Sequence, residues 1–145
     1  MQIRVRDEAG RFFILPDATV KFRVNNGAYQ PTAGAITSIK NGDTLKGNVT
    51  IAGYAYSPTV RIIAVSVVYD GRFADAARYG VPSPEVCATL PNITACPNIG
   101  WTFELDTRRL ANGNHLITVS TLDSNGVTLS IPTAAQGALN VNVQN

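Results

Sequence analysis

The sequence is poor in charge, in histidine and in cysteine, and it holds no long apolar run. Lys, Arg, Asp and Glu make up 15% of its 145 residues, against roughly 25% in an ordinary soluble domain. The net charge of +2 is too small to argue for nucleic acid or an anionic membrane surface. No apolar stretch approaches the roughly 18 residues of a membrane-spanning helix, so membrane insertion is not expected. A single histidine, His115, excludes a multi-histidine metal site. No phosphate-cradling glycine loop, nucleophile elbow or paired-carboxylate constellation occurs. Catalytic residues, a metal and a cofactor are therefore not expected. Met1 is followed at once by a charged, strand-like stretch rather than a signal peptide. An exported protein of this kind would carry its targeting segment elsewhere.

Hydrophobic residues make up 45% of the chain, enough for a packed core. Thr, Ser, Asn and Gln carry the polarity, a profile that suits an extracellular β-protein. Alternation recurs in Ile3–Arg6, Val20–Val24, Asn48–Ile51, Trp101–Leu105 and His115–Val119. A longer apolar run from Val60 to Tyr69 ends in Asp70-Gly71, a hairpin turn signal. Asn-Gly pairs begin at Asn26, Asn41, Asn112 and Asn125 and punctuate the rest. The only helix-tolerant stretches are Ala74–Tyr79 and Ala134–Ala138.

Cys87 and Cys96 fit no CxxC redox or zinc motif. They fit a disulfide that staples the loop-like segment between them. Two free thiols in a reducing cytosol are the alternative.

The two ends of the chain resemble each other. Asp7 and Asp123 are each followed by Gly at the third position and Pro at the ninth, with a strand-like run between. A further alternating strand comes after each Pro. This reads as a tandem repeat caught in mid-period. Residues 1–27 would be a β-hairpin left from a preceding repeat, 28–35 a linker, and 36–145 a complete domain. Residues 1–27 carry five basic and three acidic residues, and the remainder seven of each. Arg4, Arg6, Lys21 and Arg23 share one face of the hairpin, and Ile3, Val5, Phe22 and Val24 share the other. A bare apolar face on a two-stranded ribbon is not stable alone. It is expected to be covered by the main domain, or by a second copy in a homodimer.

From Gly42 onward the residues resemble bacterial Ig-like domains, tandem modules of secreted and cell-surface proteins. The similarity runs through Gly47–Ala55, Val65–Gly71, Tyr79–Val86, Leu105–Thr107, Leu110–Val119 and Asp123–Gly126. It implies an antiparallel Ig-like β-sandwich of about seven strands, preceded here by the extra hairpin. Ile63, Val65, Val67 and Tyr69 would then face the core from one sheet, and Trp101, Phe103 and Leu105 from the other. His115 falls where such sandwiches often place a corner tyrosine. Its implied role is a hydrogen bond back to backbone near Leu110. The cysteine pair lies where these modules usually have none.

Other features are weaker. Asn48 and Asn92 begin glycosylation sequons that a bacterial protein is not expected to use. The Asp7–Gly10 and Asp123–Gly126 turns lack the oxygen ligands of a calcium loop. Tyr54 and Tyr56 alternate onto one strand face and suggest glycan contact, whereas Tyr69 and Trp101 suit the core. The expectation is a non-catalytic, extracellular, structural or adhesive module. Its partners would be neighbouring repeats, another protein or a polysaccharide. The alternative is a carbohydrate-binding module attached to a secreted enzyme.

Overall fold

The computed structural model describes residues 4–6, 12–14, 30–131 and 138–145. Two short strands, β1 (Arg4–Arg6) and β2 (Phe12–Ile14), form an antiparallel ribbon. The rest is a two-sheet sandwich. Its strands are β3 (Ala33–Ile36), β4 (Thr44–Leu45), β5 (Asn48–Tyr56), β6 (Ile62–Tyr69), β7 (Arg72–Ala76) and β8 (Arg78–Val81). A four-residue helix, α1 (Pro84–Cys87), precedes β9 (Gly100–Asp106), β10 (Gly113–Asp123), β11 (Thr128–Ile131) and β12 (Leu139–Val143).

One sheet has the order β3-β5-β9-β8. The other runs β4-β12-β10-β6-β7, with β11 also paired to β10. Among the described residues the sandwich has ten strand segments, six in one sheet and four in the other. The chain leaves one sheet for the other between β3 and β4 and again at Ala77, between β7 and β8. Strands β11 and β12 take successive stretches of β10. The result is an all-β, Ig-like sandwich.

The core lies between the sheets and follows the period-two alternation of the strands. Ile51 and Ala55 face inward from β5, Val65 and Val67 from β6, and Ile117 and Val119 from β10. Trp101 is fully buried, with its ring against Gly53. A Cβ on Gly53 would meet the Ala35 carbonyl oxygen and lie 2.6 Å from Trp101 Cζ2. The backbone of β3 and the largest core side chain thus both need that position empty.

The structure corrects three sequence expectations. Ala33–Ala35, expected in the linker, lie in β3 and pair with β5 from Tyr56 to Ala55 and Tyr54. Ile63 is 48% exposed. Leu122 pairs with Ala64 but Asp123 pairs with Ile62, so a bulge passes over Ile63 and turns Ile62 into the core. Tyr69, like Phe103, is half-buried and packs against the core, in line with the expectation. Ala74–Tyr79, expected to tolerate helix, is strand on both sides of Ala77. The Ala134–Ala138 stretch, the Val20–Val24 strand and the Asp7–Gly10 turn lie outside the described residues, Ala138 excepted.

Candidate functional site

The sandwich has two poles. Strand β5 runs between them, from Asn48 beside the final residues to Tyr56 beside Gln30. At the first pole Asn145 is tied in tightly. Its side-chain amide donates to Thr107 O at 2.8 Å, and its backbone N–H donates to the Asn112 side-chain oxygen at 2.8 Å. Thr107 N–H donates to Gly47 O at 2.9 Å. At the other pole Ser57 donates its hydroxyl to Gln30 O at 3.0 Å, and Gln30 N–H donates to Thr59 Oγ1 at 3.1 Å. The two ends of the sandwich sequence therefore stand at opposite poles.

Asp70 and His115 meet at the first pole. Asp70 and Gly71 both have positive φ, at 49° and 73°. They make the tight turn that closes the β6–β7 hairpin. Asp70 Oδ1 accepts from Leu116 N–H at 3.0 Å, and Oδ2 stands 2.6 Å from His115 Nδ1. The other ring nitrogen, Nε2, stands 2.9 Å from Ala111 O. A carboxylate and a carbonyl can only accept, so both contacts are hydrogen bonds together only in the protonated ring, where both nitrogens donate. The hydrogen bond to Asp70, followed by that to Ala111 O, holds the His115 pKa above its ordinary value against the opposing effect of burial. For Asp70, burial alone would raise the pKa. The Leu116 N–H, His115 and Arg72 outweigh it and leave the carboxylate lowered. In that protonated form the ring ties Asp70 to the Ala111 backbone across the corner of the fold.

At the second pole the Cys87–Cys96 disulfide joins the end of α1 to the segment before Pro97, with Cα atoms 5.8 Å apart. Ile93 and Ile99 of this loop are buried. A groove lies between the loop and the β5–β6 connection, lined by Pro58, Val60, Arg61, Thr94 and Ala95. Beside it Asp123, fully buried, accepts from Asn125 N–H at 2.8 Å and Val127 N–H at 3.0 Å. That carboxylate is engaged in shaping its own turn. Asn48 and Asn92, which begin the sequons, are both exposed. Helix α1 escaped the sequence reading because four residues show no period. Its signal is Ser83-Pro84-Glu85, with Pro in the first turn.

Tyr54 and Tyr56 lie on the outer face of β5, half-buried, with ring centroids 6.3 Å apart and planes 19° from parallel. Across the sheet they stand opposite Ala35 and Ala33 of β3, and Tyr54 stands opposite Gly100 of β9. None of these neighbours is long enough to cover a ring. Tyr79 differs: its hydroxyl donates to Ala55 O at 3.0 Å, and burial raises its pKa. Among the described residues no cluster of three His, Cys, Asp or Glu side chains is placed to hold a metal.

No protein-family profile matches the chain, and no curated protein matches it. Solved structures do. An endo-beta-1,4-mannanase from Thermotoga petrophila superposes with a TM-score of 0.56 at 16% identity, over 97% of this chain and 29% of that one. The fibronectin(III)-like modules of CbhA from Clostridium thermocellum superpose with a TM-score of 0.51 at 16% identity, over 77% of this chain and 97% of that one. This chain thus spans under a third of the mannanase and nearly the whole of a module. At this identity the likeness is one of fold. It identifies an Ig-like, fibronectin III-like sandwich, and it singles out no bacterial Ig-like family.

Proposed function

We propose that this chain is a non-catalytic structural module of a larger exported bacterial protein, set among similar modules and holding other elements apart. The observation that carries the tandem reading is a shared register. In the N-terminal ribbon Arg4 pairs with Ile14, Val5 with Phe13 and Arg6 with Phe12. Shifted by the spacing between Asp7 and Asp123, these pairs become Ser120–Ser130, Thr121–Leu129 and Leu122–Thr128. Those are the pairs between β10 and β11. The three pairs of the ribbon thus share their register with the hairpin near the other end of the sequence, which supports a repeat.

The opposed poles support a spacer. A nine-residue strand such as β5 rises about 3.3 Å per residue, so each module would add roughly 30 Å to a string. The disulfide favours an oxidising compartment. Both similar structures belong to larger assemblies of sequence, one as 29% of a chain and one described as modules. The engaged His115 ring argues against a hydrolytic centre.

The test has two arms. The reading frame upstream of residue 1 should complete a sandwich whose last hairpin is residues 1–27. X-ray scattering from two consecutive units in one polypeptide should give a particle about twice as long as one unit. An upstream frame without β-repeats, or two units folded side by side, would overturn the reading. So would hydrolase turnover that is lost in His115→Ala.

A further inference from the structure

We propose that Tyr54 and Tyr56 form a binding platform for the apolar faces of consecutive sugar rings in a neutral polysaccharide. This goes beyond the spacer role, which needs no aromatic pair on an outer sheet face. The inward face of β5 already supplies the core through Ile51 and Ala55, so these two rings are not needed there. Among the described residues neither tyrosine hydroxyl has a hydrogen-bond partner, whereas Tyr79 has one. The rings are stacked along one strand, near-parallel, with centroids 6.3 Å apart, a separation on the scale of one pyranose unit. The strand geometry sets it, because residues two apart point the same way.

The surroundings choose the ligand. The cross-strand neighbours Ala33, Ala35 and Gly100 are small and uncharged, and so is Ala52, next along the same face of β5. The nearest acid on that face, Glu104, is held by the Thr50 hydroxyl at 2.7 Å, further down the strand. The basic residue on that face, Arg78 of β8, stands two strands away opposite Thr102, so among the described residues the rings' cross-strand neighbours offer no charge to a phosphate, a carboxylate or a basic peptide. Pyranose rings have one face rich in C–H bonds, which fits the negative face of an aromatic ring. Their hydroxyls lie at the ring edge, free to meet water or amides. Gln30 and Asn98, at the Tyr56 end of the strand, are exposed amide residues. The site is an open platform rather than a pocket, which suits the middle of a long chain over a free chain end.

Native affinity electrophoresis of the 145-residue protein tests this, in gels cast with glucomannan, xyloglucan, hydroxyethylcellulose or polygalacturonate. At least one neutral polymer should retard the protein, and polygalacturonate should not. Tyr54→Ala and Tyr56→Ala should each weaken that retardation about tenfold, the scale of a lost aromatic contact. Tyr54→Phe and Tyr56→Phe should keep it. Melting temperatures of all four variants report whether they fold. No retardation by any neutral polymer would overturn the proposal. Retardation that survives both alanine variants, or appears only with polygalacturonate, would do so too. The spacer reading stands or falls separately, on scattering.

Discussion

His115 and Asp70 are bound to each other across the corner where β6 turns back and β10 begins, with 2.6 Å between Nδ1 and Oδ2. The His115 side chain is 11% exposed and that of Asp70 44%. The contact is therefore partly screened, and about 1 kcal/mol is a fair scale for it. The raised His115 pKa means its contribution is complete below the unfolded value near 6.5 and is lost as pH rises through the folded value. The lowered Asp70 pKa means its contribution is complete above about 3.9 and is lost as pH falls through its folded value. Thermal melts should show the protein more stable at pH 5.5 than at pH 8.5 (about those values, chosen to bracket the imidazole). In His115→Gln that difference should shrink. An unchanged pH profile in the variant would show that the clamp does not contribute.

Gly53 makes the second prediction. Gly53→Ala drives a methyl into both the β3 backbone and the Trp101 ring. Neither can move without opening the sheet or the core, so the cost should be about 3 kcal/mol. Urea titration reads it directly. A loss under about 1 kcal/mol would mean that the sheet can shift to admit the methyl.

The bulge at Ile63 separates two adjacent residues of the same type. Ile62→Ala should cost about 2–4 kcal/mol, as a core truncation does. Ile63→Thr, on an exposed side chain, should stay within about 0.5 kcal/mol. Equal losses at both positions would contradict the register.

Joint replacement of Cys87 and Cys96 by alanine should lower stability by about 2–3 kcal/mol, the loop-closure scale for a short ring. The wild-type protein with reductant should lose the same amount. Because Ile93 and Ile99 still anchor the loop, the sandwich itself should persist, with an unchanged far-ultraviolet circular dichroism spectrum.

The sequence shows the sandwich plainly, because alternation and turn residues are local signals and strand after strand repeats them. Trp101 and Leu105 are readable as core for the same reason. The phase of β6 is not readable: Val60–Tyr69 is apolar at nearly every position, so only the partner strand decides which isoleucine faces inward. The fate of residues 33–36 is hidden too. Ala33-Gly34-Ala35 looks like a linker because its side chains are small, yet small side chains are what lets β3 lie beside Tyr54 and over Gly53. The Asp70–His115 contact joins residues 45 apart, and no local pattern announces it. Tyr54 and Tyr56 are readable as an outward pair, but the small residues opposite them come from two other strands.

The parallel contact between β4 and β12 bears on how the molecule would respond to tension. Asn142 N–H donates to Asp43 O at 2.8 Å and Gln144 N–H to Leu45 O at 3.1 Å. The two strands run in the same direction, one leading back to the Gln30 pole through β3 and the other out towards Asn145. A pull on opposite poles slides them past each other, so these bonds are strained in shear and yield together. A hairpin opened from its free ends would instead unzip one bond at a time. In the proposed string of units the short patch would act as a mechanical latch that keeps each sandwich intact under tension.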